Sequence, residues 1–199
     1  MKRKILLSFL ILAIAVAAMF VVGNINTPST KSRAKEHAES ALEYCKTHGL
    51  RTDYCILVDF DVHSGKNRFF IWDFNKKKIV YSTICEHGRG GKSTHRTPEF
   101  SNISGSKCTS LGKYHVMNKR HMYKYPSVPC YVLKGVDSTN SNAMARGILI
   151  HPDVSQIPTY PFPLHWRTEG CFGLSIRGFD VVDDYKKMSS KPMLLWAYK

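Results

Sequence analysis

The stretch 54–85, YCILVDFDVHSGKNRFFIWDFNKKKIVYSTIC, decides the fold class. It holds three short runs rich in β-branched and aromatic residues, 54–60, 68–74 and 78–85, and runs of this kind bounded by turn residues read as strands. Asn75 and the lysines after it place a hairpin between the second and third runs. The triple lysine 76–78 is then a solvated turn rather than a patch for a polyanion.

Working outward, the same signature recurs at 113–117, 130–133, 147–151 and 193–198. Helical patterns are fewer. Ala34, Ala38, Ala41, Leu42 and Cys45 repeat on one helical face, with Pro28-Ser29-Thr30 as a capping signal and Gly49 as a stop. That small, Ala-rich face is expected to dock on the strands. A second helix is expected over 179–188, bounded by Gly178 and Ser189-Ser190. Many short strands with few helices predict a mainly β domain, a sandwich or barrel with mostly antiparallel pairing and a few short helices. At 199 residues the chain has room for one such core.

The amino terminus is different in kind. Lys2-Arg3-Lys4 precede an uncharged run, 5–22, whose polar member is Ser8. A cationic end before such a hydrophobic helix reads as a signal peptide or a membrane anchor, and at ~1.5 Å per residue the helix rises roughly 27 Å. An Ala15-x-Ala17 cleavage pattern lies inside the run. On either reading everything after about residue 24 is exported, to the periplasm or cell envelope, and an uncleaved segment adds the membrane as a partner. The chain divides into 1–23 leader or anchor, 24–52 linker and short helix, and 53–199 domain.

Lys and Arg number 29 against 15 Asp and Glu, a net charge of +14 that falls to about +11 without the leader. This balance favours an acidic neighbour. The bases are scattered and no helix carries an arginine-rich face, so nucleic acid is not the expected partner. An acidic wall polymer fits an exported basic domain.

Two segments carry residues suited to chemistry. Gly147-Ile148-Leu149-Ile150-His151-Pro152 places an imidazole at the end of an apolar strand, where side chains leave the core and a ring titrating near neutrality can accept a thiol proton. Arg167-Thr168-Glu169-Gly170-Cys171-Phe172-Gly173-Leu174 places a thiol after a glycine, where backbone N–H groups can face an oxyanion. Together they suit a nucleophile and its base. A cysteine beside Phe172 and Leu174 equally fits a buried core position, and His151 a satisfied core histidine. A zinc set of His151, His165 and Cys171 ranks below both, since no Cys-x-x-Cys or His-x-x-x-His pair pins a metal.

These stretches resemble the L,D-transpeptidase catalytic domains of bacterial cell-wall enzymes, in particular their murein L,D-transpeptidase-like branch. Arg146-Gly147-Ile148-Leu149-Ile150-His151 resembles the strand that ends in that family's catalytic histidine. Thr168-Glu169-Gly170-Cys171 resembles its Ser/Thr-x-Gly-Cys nucleophile motif, twenty positions on. Glu86-His87-Gly88, Phe100-Ser101-Asn102, Gly105-Ser106, Thr109–Tyr114 and the closing Lys191–Tyr198 follow in the branch's order, so the likeness covers about residues 54–198.

The resemblance implies a β-sandwich or barrel of the L,D-transpeptidase type and a cysteine acyltransferase acting on peptidoglycan stem peptides. Cys171 would attack the amide after the L-centre of diaminopimelate, form a thioester and release the terminal D-residue; a second stem amine gives a 3-3 cross-link, and water trims the stem. His151 would act as base, oriented by the Pro152 carbonyl, with Gly170 and Cys171 amides at the oxyanion. Thr168 would shape the turn, and Arg167, His87, Asn102 and Arg146 would meet substrate. No metal or organic cofactor is implied.

The sequence also departs from the family. Glu169 stands where much of the family has histidine, and a carboxylate there raises the thiol pKa unless it points away or pairs with a cation. A catalytically inactive peptidoglycan-binding module of the same fold is therefore the alternative. The segment 157–166, with three prolines and three aromatic residues, reads as a wall over a groove or as a packed surface loop. Six cysteines in an exported chain suggest bridges, with Cys45–Cys55 and Cys85–Cys108 among the possible pairings and Cys130 left over.

Overall fold

The computed structural model describes residues 2–153, 157–164 and 168–199. Helices α1 (Lys2–Asn24) and α2 (Pro28–Thr47) precede the strands β1 (Tyr54–Asp59), β2 (Phe69–Asp73) and β3 (Lys78–Thr83). Then follow β4 (Gly112–His121), β5 (Pro129–Gly135), β6 (Leu149–Asp153), β7 (Phe172–Ser175), α3 (Ile176–Lys187) and β8 (Met193–Tyr198).

The strands form one sheet in the order β3-β2-β1-β8-β4-β5-β6-β7. Pairing is mostly antiparallel, as expected, with two parallel pairs: β1 runs parallel to β8 and β6 parallel to β7. The sheet curls until its two ends meet: beyond β3 the Glu86 amide donates to the Gly173 carbonyl of β7 at 2.8 Å, and Thr83 and Ser175 hydroxyls bond at 3.2 Å. This gives the expected mainly β, barrel-like architecture, and it carries Glu86 onto β7.

Alternation along the strands divides the apolar residues between two cores. Ile56, Val58, Phe69, Ile71, Met193 and Leu195 fill the interior with Phe172 and Leu174, and α3 adds Phe179 and Val182. Leu57, Phe70, Trp72 and Leu194 face the other way and are covered by Ala34, Ala38, Ala41 and Cys45 of α2. Without α2, four large side chains of β1, β2 and β8 would stand in water, at roughly 1.5–3 kcal/mol each.

Helix α2 starts one residue before the expected cap. Thr27 accepts the Thr30 amide at 3.2 Å and Pro28 takes the first helical position, where a missing N–H costs nothing. Gly49, at φ +68°, lets the Leu50 amide turn back to the Cys45 carbonyl at 2.9 Å and close the helix.

Helix α1 carries its apolar side chains outward, among them Leu6, Phe9, Leu12 and Val16. Among the described residues no helix is long and apolar enough to cross a membrane. The anchor expectation and the membrane as partner thus find no support.

All six cysteines are free thiols, so neither suggested bridge is formed. Cys45 and Cys55 share the α2 core, while Cys85 donates to the Glu86 carbonyl and Cys108 to the Ser106 carbonyl.

Candidate active site

Strands β6 and β7 set the geometry. Ile150 partners Phe172 and His151 partners Gly173. Ile150 and Phe172 point into the interior core, so His151, Gly173 and Cys171, one step out of phase, share the outer face. The register places the imidazole diagonally across from the thiol, two positions along. The space over Gly173, the register partner of His151, is taken by Glu86 and Thr168: a Cβ there would come within 2.5 Å of Glu86 Oε2 and 3.2 Å of Thr168 Cγ2. The buried Glu86 carboxylate thus lies over β7 on the thiol's face.

His151 Nδ1 is 3.0 Å from the Pro152 carbonyl, the orienting contact expected from the sequence. As that carbonyl only accepts, Nδ1 is the donor in this contact. The Cys171 thiol donates to the Gly147 carbonyl at 3.6 Å, and its sulfur accepts the Leu149 amide. It does not bond to His151. Burial pushes the thiol up to about 11, the Leu149 amide and Arg146 pull it down, and Cys130 and Glu169 push it up further.

The turn that delivers Cys171 is clamped from two loops. The Arg89 amide donates to the Thr168 carbonyl at 3.0 Å. Gly170, at φ +118°, lies against Cys108 and Arg146; a Cβ would sit 2.7 Å from the Cys108 carbonyl oxygen. Arg146 holds that neighbouring loop together, donating to Ser101 O at 2.8 Å, Ser110 Oγ at 2.7 Å, Ser106 Oγ at 3.2 Å and Cys108 O at 2.5 Å. Its donors are turned to the loop.

Glu169 is paired with two cations. Its Oε1 meets Arg89 Nη2 at 2.5 Å and Lys107 Nζ at 3.2 Å, and hydrogen bonds from these two cations hold its carboxyl below the usual range. The expected pairing with a cation is present, yet the carboxylate still adds to the rise of the Cys171 thiol.

The other expected substrate contacts are placed differently. His87 is fully buried; its Nδ1 accepts from Arg68 at 2.7 Å and its Nε2 donates to the Thr94 carbonyl at 2.8 Å. Burial and the Arg68 charge drive its pKa down to about 3. Asn102 ties its loop to Ser138 O at 2.9 Å and to the Asn142 amide at 3.1 Å. Thr168 is buried against Gly173. Arg167 and His165 lie outside the described residues, and among those described no group of His, Cys, Asp or Glu gathers as a metal site. The segment 157–164 packs on the turn at 63–66, with the Thr159 amide on Gly65 O at 2.9 Å and Lys66 over the Tyr160 ring at 4.0 Å.

A family model described as an L,D-transpeptidase catalytic domain matches residues 26–196, nearly the whole chain. The chain belongs to the L,D-transpeptidase catalytic-domain family. The match begins ahead of α2, in keeping with that helix covering a core of the domain.

Solved structures similar to this family member include the helical cell shape determining protein Pgp2 of Campylobacter jejuni, at 14% identity over 73% of this chain and 47% of that one, TM-score 0.46. An L,D-transpeptidase of Xylanimonas cellulosilytica is 14% identical over 78% and 68% of the two chains, TM-score 0.41. One from Mycobacterium smegmatis is 12% identical over 74% and 59%, TM-score 0.41. The chain spans about half the length of Pgp2. No curated protein matches it.

Sequence reasoning missed Glu86, Gly173, Arg89 and Lys107 as parts of this site. Arg89 had a signal, since it stands between Gly88 and Gly90; Lys107 had none.

Proposed function

We propose that the chain is an exported L,D-transpeptidase that acts on peptidoglycan stem peptides through a thioester on Cys171, with α1 as its export leader. The supporting observation is that His151 and Cys171 share the outer face of β6–β7 while the Pro152 carbonyl holds Nδ1 and leaves Nε2 to take a proton. With a thiol pKa of about 11, roughly one thiol in ten thousand is ionised at neutral pH, so attack depends on that transfer. The attack requires the Cys171 side chain to leave the Gly147 carbonyl and bring its sulfur to the ring.

Sulfur then adds to the carbonyl carbon after the L-centre of diaminopimelate, and the carbonyl oxygen takes the negative charge, facing the amides of Gly170 and Cys171. Collapse breaks the C–N bond, and the His151 proton goes to the departing amine of the terminal residue. A stem amine attacks the thioester and gives a 3-3 cross-link, or water attacks and trims the stem; either regenerates the thiol. Arg146, Asn102 and His87 brace the groove in this account.

One observation favours a second reading, a catalytically inactive peptidoglycan-binding module: the thiol is bonded to Gly147 and held mostly protonated. Incubation of wild type and Cys171→Ala with tetrapeptide-stem muropeptides, followed by mass, separates the two. Turnover that vanishes in the variant supports the thioester enzyme; binding without turnover in both supports the module.

A further inference from the structure

The Glu169 carboxylate occupies a place where charge is in excess. Arg89 and Lys107 reach it from two different loops and converge on a single oxygen, Oε1, which among the described residues leaves one positive charge uncompensated. The loops are pinned together beside the nucleophile turn: Gly90 N donates to Lys107 O at 3.0 Å and Gly88 N to Thr109 Oγ1 at 2.8 Å. Lys107 holds φ +58°, a left-handed backbone that residues other than glycine seldom take. Arg89 and Lys107 side chains are each 49% exposed and Glu169 55%, so water reaches all three and an outside anion can exchange into the cluster. Glu169 stands two residues before Cys171.

The proposed reaction releases a C-terminal residue. Its α-carboxylate carbon is three bonds from the carbonyl carbon under attack, roughly 3–4 Å away. A peptide positioned for attack by Cys171 therefore brings a carboxylate close to the nucleophile turn, where two half-exposed cations wait.

Resting on the transpeptidase reading, we propose that Arg89 and Lys107 form the subsite for the carboxylate of the leaving residue, and that Glu169 is its occupant in the resting protein. Substrate displaces Glu169 into solvent. The Arg89 guanidinium, with Nη2 engaged among the described residues, has further donors with which to take a carboxylate in paired fashion. The residue that departs from the family pattern then sets how tightly substrate binds, and peptides with a free C-terminal acid are preferred over amides.

The test compares a tetrapeptide stem ending in a free acid with the same stem ending in a carboxamide, using the full chain as wild type, Arg89→Ala/Lys107→Ala and Glu169→Gln. The acid is expected to exceed the amide in kcat/KM by about tenfold in wild type. In the double variant that ratio falls toward one through KM, and in Glu169→Gln KM for the acid drops severalfold, so the ratio widens. A ratio near one in wild type, or an unchanged ratio in the double variant, overturns the subsite and leaves the thioester reading standing. Failure of wild type to process either peptide, or full turnover by Cys171→Ala, overturns the thioester reading itself, and the subsite with it.

Discussion

His151 on β6 is the register partner of Gly173 on β7, two residues after Cys171. The absent side chain admits the Glu86 carboxylate to the face that His151 and Cys171 share. Gly173→Ala is expected to force Glu86 or Thr168 aside, at about 1–3 kcal/mol of stability. Misplacing the ring by even a fraction of its diameter should lower kcat/KM on the order of 10- to 100-fold. Thermal melts and turnover measured on one preparation check both; unaltered turnover would show that the row is not tightly packed.

Arg146 acts through the loop it ties. Arg146→Met removes four hydrogen bonds from a charged donor and leaves Cys108 and Ser101 carbonyls to water. We expect a loss of about 2–3 kcal/mol and a larger fall in kcat than rise in KM, because Gly170 loses its support. Arg146→Lys, which keeps charge but not the fork, should rescue little. Were Arg146 a substrate contact instead, KM would carry the change.

The raised thiol makes a pH prediction. Iodoacetamide alkylation of Cys171, followed on its peptide by mass, should keep climbing above pH 9, since the thiol lies at about 11. Glu169 contributes to that rise, so Glu169→Gln should shift the profile to lower pH. A plateau below pH 8 contradicts the placement of the thiol.

His87 gives the fold an acid limit. Its pKa is depressed to about 3 by burial and Arg68, so the neutral ring is the folded form and its stabilisation is complete above the unfolded value near 6.5. As pH falls from there toward 3, stability should decline by about 1.4 kcal/mol per unit. His87→Gln should flatten that decline in melts run between pH 7 and pH 4.

Much of this was legible in the sequence because the deciding signals are local. The paired runs around Asn75 became β2 and β3, and the Ala stripe became the buried face of α2. β7 was not legible: it has four residues with Gly173 inside, and its register partners on β6 are 22 positions away across a crossover. Nor was the extension of β6 through Pro152. Its pairing with β5 ends at Ile150, so beyond that point no neighbour on that side asks for the amide that proline lacks. At the candidate site, Cys171, His151 and the Pro152 carbonyl were singled out because the motif carries them. Arg89, Lys107 and Glu86 come from loops distant in sequence, and the curl of the sheet alone brings them to β7.

We expect Cys171 to become an acyl thioester with His151 as its base, a step that mass spectrometry after rapid acid quench reads on the protein itself. With a tetrapeptide-stem substrate, wild type should gain the mass of the stem less its terminal residue on the Cys171 peptide. His151→Ala should accumulate that adduct on the order of 100-fold more slowly or not at all, and Cys171→Ala should remain unmodified while turnover ceases. Turnover by wild type with no adduct at any quench time, or an adduct on another residue, would contradict the account.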